Sequence, residues 1–597
     1  MLRVLSRTAA LAVTAVLVAS TAGCLGSDGQ APAPPVDPYV AQGILPPALR
    51  DNLSQPVFAI AEHREQHFMG STGIQLYLDW VMPDAPGPLP TILGFTPYQG
   101  QDPVGMPGEA DPGPGAVYNQ ALVEWFVPRG YVVAFADVRG NHEAGGCIDQ
   151  TGPEQWQDGY DYVEWLAAQP WSNGNVGMWG ASYVGETQFT TAMVQPPHLR
   201  TIVPVASVSN QYEWSFYQGI PYELQPFIGM FSYFTGSAQP SSDPDNLPYY
   251  PEKLECQGEQ FAAGLDFSGD HTPFWTQRDY RPLAGQIQAS VLHIHGLRDW
   301  NVRPIHIDPL FNDITAVKRG IFGQWGHAFP DREDWQLEIQ TAWYDHFLLE
   351  RQNGILDILP PVLIEDDGEQ WWGMASFPPR QQEWFNVSLS ADGALMPTCG
   401  DEHCEVKSGQ LEIVDYPEEV LTDAGVLPDE QAVAGQGDLA PDTLSWSFVT
   451  DVELRLVGRP WLQFTATTDT TSTHWVAHLT VDGKTCGSQA VCDNHGYQDT
   501  RHRDGMDDPK DLQPNVPYRL RIDMYPQYDV IPAGSTVRLT LLHNDGEVQQ
   551  DPTFARSFVQ AGNDAVLHLP LAPPQLPLPH DTLPEVFPGY LDGSFAR

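Results

Sequence analysis

Basic residues are scarce in this chain of 597 residues, and lysine occurs only five times. The chain has 29 Lys and Arg against 76 Asp and Glu, which gives a formal net charge of −47. A surface this negative repels phosphate backbones and anionic lipid headgroups, so the composition excludes a nucleic-acid-binding protein. An acidic, lysine-poor surface suits a saline medium, and a GC-rich genome explains it equally well.

Long apolar runs and long uninterrupted helices are also missing. Beyond the short run at 9–18, no stretch is apolar for long enough to span a bilayer. The 55 Pro and 53 Gly are spread among the aromatic residues and favour turns and loops, which excludes fibrous and coiled-coil proteins. At roughly 100–200 residues per domain, the length predicts about three or four packing units.

The amino-terminal end is typical of an export signal. Two arginines precede the apolar run, and small residues follow it, so residues 1–24 are predicted to be a signal peptide. Residues 21–24 (TAGC) resemble a lipoprotein box in which Cys24 carries the lipid, although Thr21 replaces the usual aliphatic residue. An ordinary cleaved signal is the alternative. Residues 25–50 predict a Pro/Gly-rich tether, and we expect an exported protein, extracellular or in the cell envelope, that reaches the membrane through Cys24.

Six cysteines remain besides Cys24, in a compartment that permits disulfides. Six cysteines allow fifteen pairings, so the connectivity stays open. No C-x-x-C pair occurs, which argues against a zinc site made of thiolates. The disulfide candidates are two pairs close in sequence and one distant pair: Cys399 and Cys404, Cys486 and Cys492, Cys147 and Cys256.

The middle of the chain alternates between strand and helix patterns. Short apolar runs bounded by turn residues predict buried parallel strands. Residues 158–169 carry apolar residues at helical spacing before Pro170 ends the helix. This alternation predicts an α/β fold with a mostly parallel sheet and helices on its faces. The runs lie at 91–95, 131–136, 175–179, 200–208 and 290–294.

Residues 180–185 (GASYVG) follow the strand predicted at 175–179 and are the most informative segment. A strand that turns sharply into a helix holds its corner residue in a strained backbone conformation, which requires small neighbours such as Gly180 and Gly185. The corner residue, Ser182, is then presented at the carboxyl edge of the sheet. We predict that Ser182 is a nucleophile; an ordinary turn serine is the alternative.

A serine hydroxyl needs a base, and the base needs a group that orients it. In this kind of fold the chain order is serine, then an acid, then histidine. Asp299 lies in the loop after the strand predicted at 290–294, and His327 lies in a glycine-flanked loop after the strand that begins near 320. These positions predict a catalytic triad of Ser182, Asp299 and His327.

These motifs, taken together, resemble a known family. Pro97-Tyr98, the segment 137–140 (DVRG), the segment 174–185 (GNVGMWGASYVG), the segment 299–302 (DWNV) and Gly326-His327 are similar to motifs of X-prolyl dipeptidyl-peptidases and cocaine-esterase-type acyl hydrolases. They cover most of residues 70–350. The resemblance implies an α/β-hydrolase domain with an inserted helical cap and a C-terminal β-sandwich of the jelly-roll type.

The resemblance also implies roles for particular residues. The oxyanion hole would consist of the Tyr98 hydroxyl and the backbone N–H of Tyr183, two donors aimed where negative charge develops. Tyr98 as a plain core aromatic is the alternative. In the cap, Glu213 and Glu223 are candidates for binding the free ammonium of a substrate, and both could equally be solvated.

The last part of the chain has short alternating runs separated by Gly, Pro and Asp, which predict an antiparallel sandwich. The runs lie at 452–457, 461–468, 474–481, 518–524 and 535–543. The predicted domains are a first hydrolase segment (51–207), the cap (208–286), a second hydrolase segment (287–355) and the sandwich (356–597).

Two chemistries compete within the family. We expect an X-Pro dipeptidyl-peptidase, and a carboxylesterase is the alternative. The related α-amino-acid ester hydrolases carry extra acids where Asn301 and Val302 stand here, which counts against that branch. An inactive, lipid-anchored binding protein is the alternative from another class, and the intact triad residues argue against it.

We expect no cofactor and no metal, because His293 and His295 have no Cys or carboxylate partner at a ligand spacing. The expected partner is a peptide or small ester substrate. The oligomeric state is left open, with a homo-oligomer among the alternatives.

Overall fold

A computed structural model describes residues 52–99, 114–222, 255, 269–299, 301–327, 333–368, 370–380, 382–398, 405–416, 441–482, 494–545 and 554–572, with 114–119 and 333–336 described by their backbone only. The predicted signal peptide, the whole predicted tether and the central part of the cap lie outside these ranges. None of the helices in the described ranges is long and apolar enough to cross a membrane.

The first half of the chain forms one ten-stranded sheet and a small hairpin. The strands are β1 Ile60–Met69, β2 Gln75–Pro83, β3 Leu89–Thr96, β4 Val132–Asp137, β5 Ser172–Ala181, β6 Leu199–Val205, β7 Phe216–Tyr217, β8 Ile220–Pro221, β9 Ser290–Gly296, β10 Lys318–Gly323, β11 Val362–Glu365 and β12 Trp371–Met374. The sheet order is β1-β2-β4-β3-β5-β6-β9-β10-β11-β12, and β7 pairs with β8. From β4 to β11 all neighbours are parallel, and the antiparallel strands β1, β2 and β12 lie at the two edges.

Helices cover both faces of this sheet. They are α1 Pro114–Phe126, α2 Pro153–Ala167, α3 Tyr183–Met193, α4 Gln211–Ser215, α5 Pro273–Thr276, α6 Asp308–Phe311, α7 Glu333–Phe347 and α8 Ile355–Ile358, with 3₁₀ turns at Val127–Arg129, Arg281–Gln286 and Pro304–His306. Apolar residues of α1 and α7 pack on one face, and those of α2 and α3 pack on the other. This three-layer arrangement is the predicted α/β-hydrolase fold.

The predicted strands of the middle region all occur, with shifted ends. The strand predicted to reach residue 208 ends at Val205, because Ala206 has a φ of 45° and turns the chain. The helix predicted from residue 158 begins at Pro153, where proline stands at a first-turn position that needs no N–H donor. The antiparallel strands β1 and β2 were not predicted.

The second half of the chain forms an antiparallel sandwich. Its strands are β13 Glu383–Leu389, β14 Leu395–Pro397, β15 Gly409–Val414, β16 Thr443–Val449, β17 Leu454–Gly458, β18 Trp461–Thr468, β19 His474–Val481, β20 Asn494–Asp499, β21 Pro517–Asp523, β22 Gln527–Ile531, β23 Thr536–Leu542 and β24 Arg556–Leu571, with a 3₁₀ turn at Thr500–His502. An eight-stranded sheet and the four-stranded sheet β16-β23-β19-β20 enclose a shared apolar core. Strands β18 and β19 have the predicted bounds, and the other three predicted runs shift by one or two residues.

The predicted domain boundary at 355–356 precedes the last two strands of the first sheet. Strands β11 and β12 extend the first sheet through parallel pairing of β11 with β10, so this sheet continues to Met374. The short apolar run of β11 is equally typical of a strand in a parallel sheet and of a strand in a sandwich, because both kinds of strand are buried. The described parts of the predicted cap contain the short helices α4 and α5 and the hairpin of β7 and β8.

The hairpin of β7 and β8 packs against the sandwich. The ring centroid of Tyr217 lies 5.6 Å from those of Tyr497 and Tyr525. The ring centroid of Tyr222 lies 6.2 Å from that of Tyr497. The Tyr217 hydroxyl donates to the carbonyl of Asp523 at 3.0 Å. The two parts of the chain therefore share an apolar interface.

Candidate active site

Ser182 stands at a sharp corner between β5 and α3. Its φ is 60° and its ψ is −127°, in a region that residues with a Cβ rarely adopt. The corner is fixed by hydrogen bonds: the Ser182 N–H donates to the carbonyl of Val205 at 2.9 Å, and the Ser182 carbonyl accepts from the N–H of Gly185 at 2.8 Å. This is the strained strand-to-helix turn that the sequence predicts at Ser182.

The two glycines that flank the corner are required by space. Gly180 has a φ of 148°, and a Cβ there would lie 2.1 Å from Cγ1 of Val184. A Cβ on Gly185 would lie 2.6 Å from the carbonyl oxygen of Val205. Larger residues would therefore push α3 away from the sheet and displace Ser182.

Asp299 and His327 form a hydrogen-bonded pair. The Nδ1 of His327 lies 2.9 Å from Oδ2 and 3.1 Å from Oδ1 of Asp299. Asp299 is buried, and its Oδ1 accepts the N–H groups of Asn301 and Val302 at 2.8 Å each. Because a carboxylate only accepts hydrogen bonds, the His327 Nδ1 carries the proton and its Nε2 is left as an acceptor.

Ser182, Asp299 and His327 lie at the same edge of the sheet. Ser182 follows β5, Asp299 follows β9 and His327 follows β10, and these strands run parallel in the neighbouring order β5-β6-β9-β10. The carboxyl ends of parallel strands meet at one edge, which is where ligands bind in open α/β sheets. The structure thus brings the predicted acid and base into contact and places the predicted nucleophile at their edge.

The sandwich holds the loops that carry this pair. Arg298, next to Asp299, donates to the buried carboxylate of Asp529 in β22 and, through Nε, to Oε1 of Gln324 at 2.9 Å. The Nε2 of Gln324, three residues before His327, donates to the carbonyl of Tyr528 at 3.0 Å. One strand of the second domain therefore positions both loops.

The two buried histidines of β9 lie beneath the site. Burial lowers the pKa of His293 well below its usual value, and its ring contacts the rings of Phe189, Phe311 and Phe322. Burial also lowers the pKa of His295, whose Nε2 donates to the carbonyl of Val302 at 2.8 Å. His295 therefore braces the turn after Asp299 as a neutral ring.

The two oxyanion candidates occupy suitable elements. Tyr98 follows β3 at the carboxyl edge of the sheet and is half-buried. Tyr183 is the first residue of α3, where backbone N–H groups point along the helix axis towards its amino end. The side chain of Tyr183 is buried, and its hydroxyl donates to Oε1 of Gln155 at 2.8 Å, so the predicted oxyanion role concerns its backbone N–H alone.

Glu213, the candidate amine anchor within the described residues, already has a cationic partner. Its carboxylate accepts from Nη1 of Arg281 at 2.6 Å, and Arg281 also pairs with Asp279 at 2.8 Å. Cys147 is disulfide-bonded. The positions outside the described residues are Glu223, Cys24, Cys256, Cys399, Cys404, Cys486 and Cys492, so their predicted roles and the Cys147–Cys256 pairing stay predictions.

The structure adds one acidic residue that the sequence analysis missed. Glu186 lies in the first turn of α3, four residues after Ser182, and is 1% exposed. Gln211 donates to it at 2.7 and 2.9 Å, Thr151 donates at 3.0 Å, and the Tyr280 hydroxyl also donates to it. Through these hydrogen bonds, Glu186 links α3, the helix that begins directly after Ser182, to the cap. The available signal was a single acid in a helix, YVGETQFTTAM, that has no other charged residue.

Replacing Glu186 with glutamine is expected to change how stability depends on pH. Burial raises the pKa of Glu186 to about 7 from 4.5, so its stabilising contribution is greatest below pH 4.5 and is lost as the pH rises through 7. Glutamine does not titrate, and Gln211 can turn its amide to accept from it. Relative to the wild type, Glu186→Gln should gain on the order of 3 kcal/mol of stability between pH 5 and pH 8.

Thermal melting at the two pH values checks this expectation. Glu124→Gln, on the exposed surface of α1, is the matched control and should melt in parallel with the wild type. A constant difference in melting temperature between Glu186→Gln and the wild type would show that Glu186 keeps one protonation state across this range.

A serine on a strained strand–helix corner, beside an Asp–His pair at one sheet edge, defines the serine hydrolases of the α/β-hydrolase fold. Within that class, the chain carries a domain of the X-Pro dipeptidyl-peptidase (S15) family. Residues 72–329 match the model of this family, and residues 353–550 match the model of the X-Pro dipeptidyl-peptidase C-terminal non-catalytic domain.

Individual relatives agree with this assignment. A protein of Streptomyces avermitilis provisionally named an Xaa-Pro dipeptidyl-peptidase is 25% identical over 495 residues, 72% of this chain and 69% of that protein. An Xaa-Pro dipeptidyl-peptidase of Lactobacillus delbrueckii subsp. bulgaricus is 25% identical over 373 residues, 58% of this chain and 46% of that protein. The crystal structure of a CocE/NonD family hydrolase from Staphylococcus aureus shares the fold, with a TM-score of 0.66 at 18% identity over 85% of this chain and 94% of that one.

Proposed function

We propose that this serine hydrolase acts through an acyl-enzyme on Ser182. The observation that carries the proposal is the His327–Asp299 hydrogen bond at 2.9 Å, at the sheet edge where Ser182 stands on its strained corner. With Nδ1 of His327 donating to Asp299, Nε2 can accept the hydroxyl proton of Ser182 as Oγ attacks the substrate carbonyl. His327 then gives that proton to the leaving group, and a water molecule repeats the sequence to release the acyl group.

The oxyanion of the tetrahedral intermediate would bind the Tyr98 hydroxyl and the Tyr183 N–H. The position of Tyr183 at the first turn of α3 supports its part, because the helix dipole adds to the attraction for negative charge. The position of Tyr98 after β3, at the same sheet edge, supports the second donor. Two such donors lower the barrier by stabilising the developing charge. In comparable cases, removing one donor raises the barrier by about 2.7–4 kcal/mol.

Replacing Tyr98 with phenylalanine tests the second donor. The substrate carbonyl carries little charge in the ground state and nearly a full charge in the intermediate. The loss should therefore fall on kcat, by about 10²–10³-fold, with KM nearly unchanged. Steady-state kinetics beside the melting temperature measure both effects.

Tyr183→Phe is the matched control for this substitution. Its hydroxyl binds Gln155 inside the protein, so removing it should lower the melting temperature and leave kcat within a few-fold of the wild type. A normal kcat in Tyr98→Phe would make Tyr98 a core aromatic and leave the oxyanion to backbone amides.

For the substrate, we propose peptides with proline at the second position, from which the enzyme releases N-terminal Xaa-Pro dipeptides. The support is the match of residues 72–329 to the X-Pro dipeptidyl-peptidase model. Such an enzyme needs a carboxylate that binds the free amino terminus at a fixed distance from the nucleophile. The described candidate, Glu213, is paired with Arg281, so this role falls to Glu223 or requires that the Glu213–Arg281 pair opens.

That same ion pair favours the second candidate function, a carboxylesterase. An esterase needs an apolar acyl pocket and no carboxylate for an amino group. With Glu213 neutralised by Arg281, the described residues suit an uncharged acyl group equally well.

Hydrolysis of three substrates separates the two functions. A dipeptidyl-peptidase should cleave Gly-Pro anilide and leave N-acetyl-Gly-Pro anilide intact, because acetylation removes the ammonium. An esterase should cleave a simple aryl ester and neither anilide. If no substrate is cleaved and a fluorophosphonate probe leaves Ser182 unlabelled, the chain is a binding protein that kept the fold.

We further propose that the protein is exported and anchored through Cys24. The support is the arrangement of charged, apolar and small residues before Cys24 in the sequence. Labelling of the expressing cells with a radioactive fatty acid should mark the wild type and not Cys24→Ser. Release of unlabelled wild type into the medium would indicate an ordinary cleaved signal instead.

A further inference from the structure

Two histidines and an aspartate converge in the sandwich, outside the candidate active site. The Nε2 of His478 lies 3.1 Å from Oδ2 of Asp545, and the Nδ1 of His495 lies 3.8 Å from the same oxygen. One ligand atom of each residue lies within 4.8 Å of the other two. The two imidazole rings stack with centroids 4.1 Å apart and an angle of 9°.

Strand pairing explains why the three side chains meet. His478 in β19 and His495 in β20 are direct partners in the antiparallel register, so their side chains share a face of the sheet. Strand β23 pairs with the other edge of β19, and Asp545 follows its last residue, Leu542, by three positions. The cluster therefore joins three neighbouring strands, and sequence separations of 17 and 50 residues hide it from motif analysis.

We propose that His478, His495 and Asp545 bind a divalent transition-metal ion, with zinc the best match. Two imidazole nitrogens and one carboxylate oxygen suit zinc, whereas calcium and magnesium prefer ligand sets made of oxygen alone. Bonds of about 2.0–2.1 Å in a tetrahedral site place ligand atoms roughly 3.3–3.5 Å apart. The observed separations approach this spacing, and a small movement of the His495 ring completes it. Water would occupy the remaining coordination position.

Tyr497 supports the carboxylate from outside the ligand set. Its hydroxyl donates to Oδ2 of Asp545 at 2.8 Å and lies 3.1 Å from Nδ1 of His495. Hydrogen bonds of this kind orient metal ligands, and their loss commonly weakens metal binding by 10–100-fold. Without a metal, the same four groups would form a closed hydrogen-bond cluster, which is the rival explanation of their contacts.

The site would brace the interface with the catalytic domain. Tyr497 and Val476 lie on the same face as the two histidines and pack against Tyr217 and Tyr222 of the hairpin formed by β7 and β8. A metal that links β19, β20 and the end of β23 would fix this face. The ion would thus stabilise the fold and the contact between the halves and take no part in bond cleavage.

Metal analysis of the full chain, purified without a histidine tag, tests the proposal. The wild type should contain about one zinc per chain. After removal of the metal with a chelator, added Zn²⁺ should raise the melting temperature, and added Co²⁺ should produce visible absorption bands of a nitrogen/oxygen site. These measurements use the wild type alone and do not depend on the folding of any variant.

Two variants then test the ligand His478 and the supporting residue Tyr497. His478→Gln and Tyr497→Phe should each lower the affinity for Zn²⁺ at least ~10-fold, whereas His346→Gln, in α7 of the other domain, should bind as the wild type does. Metal-stripped wild type that shows neither a Co²⁺ spectrum nor a Zn²⁺-induced shift in melting temperature would leave a hydrogen-bond cluster only. Zinc retained at wild-type affinity in His478→Gln would place the metal elsewhere. Either result overturns the proposal.

Discussion

Replacing Ser182 with alanine is expected to lower kcat by at least ~10³-fold and to leave the melting temperature close to that of the wild type. The backbone strain at the corner is held by hydrogen bonds of the main chain and by Gly180 and Gly185, none of which uses the serine hydroxyl. Alanine keeps the Cβ and removes only the atom that attacks. Any remaining turnover would come from the oxyanion donors and substrate binding.

The measurement is steady-state hydrolysis of whichever anilide or aryl ester the wild type cleaves, together with labelling by a fluorophosphonate probe. Ser71→Ala, at an exposed position that binds Asp161, is the matched serine control and should keep both activity and labelling. Activity of Ser182→Ala above roughly a tenth of the wild-type rate would mean that another residue is the nucleophile.

Asp299→Asn should lower kcat by about 10⁴-fold at neutral pH with little change in stability. The reason lies in the backbone around Asp299. The N–H groups of Asn301 and Val302 both donate to Oδ1, so the carbonyl oxygen of an asparagine must take that place. Its NH₂ group then faces Nδ1 of His327 and donates to it. This forces the proton onto Nε2, which can no longer accept from Ser182.

Asp313→Asn, at an exposed position after α6, is the control for removal of one negative charge. It should retain the wild-type kcat and pH profile. If Asp299→Asn also retained the wild-type rate, another acid would orient His327 and the 2.9 Å contact would serve structure alone.

Much of the fold and most of the site could be predicted from the sequence, because both depend on local patterns. Parallel strands buried on two faces appear as short apolar runs, and the corner at Ser182 needs small residues at fixed positions. Asp299 and His327 could be found because each directly follows such a strand, and the carboxyl ends of parallel strands share an edge.

What could not be predicted depends on contacts between distant segments. The Glu186 network joins residues from α3, the loop before α2 and the cap, and no spacing in the sequence marks it. The clamp of Arg298 on Asp529 spans 231 positions. The same limit applies to β11, because only its pairing with β10 assigns it to the first sheet.

The ion pair between Arg298 and Asp529 means that the two domains cannot be exchanged independently of each other. A chain cut after the first sheet would lose the carboxylate of Asp529, which Arg298 binds, together with the strand β22 that carries it. Gln324 would lose the carbonyl of Tyr528 at the same time. A chimera that combines this hydrolase domain with another sandwich domain would need an acid at the position of Asp529. Without it, the loops that carry Asp299 and His327 would lose the contact that positions them. The sandwich domain therefore limits which hydrolase domains can replace this one during evolution.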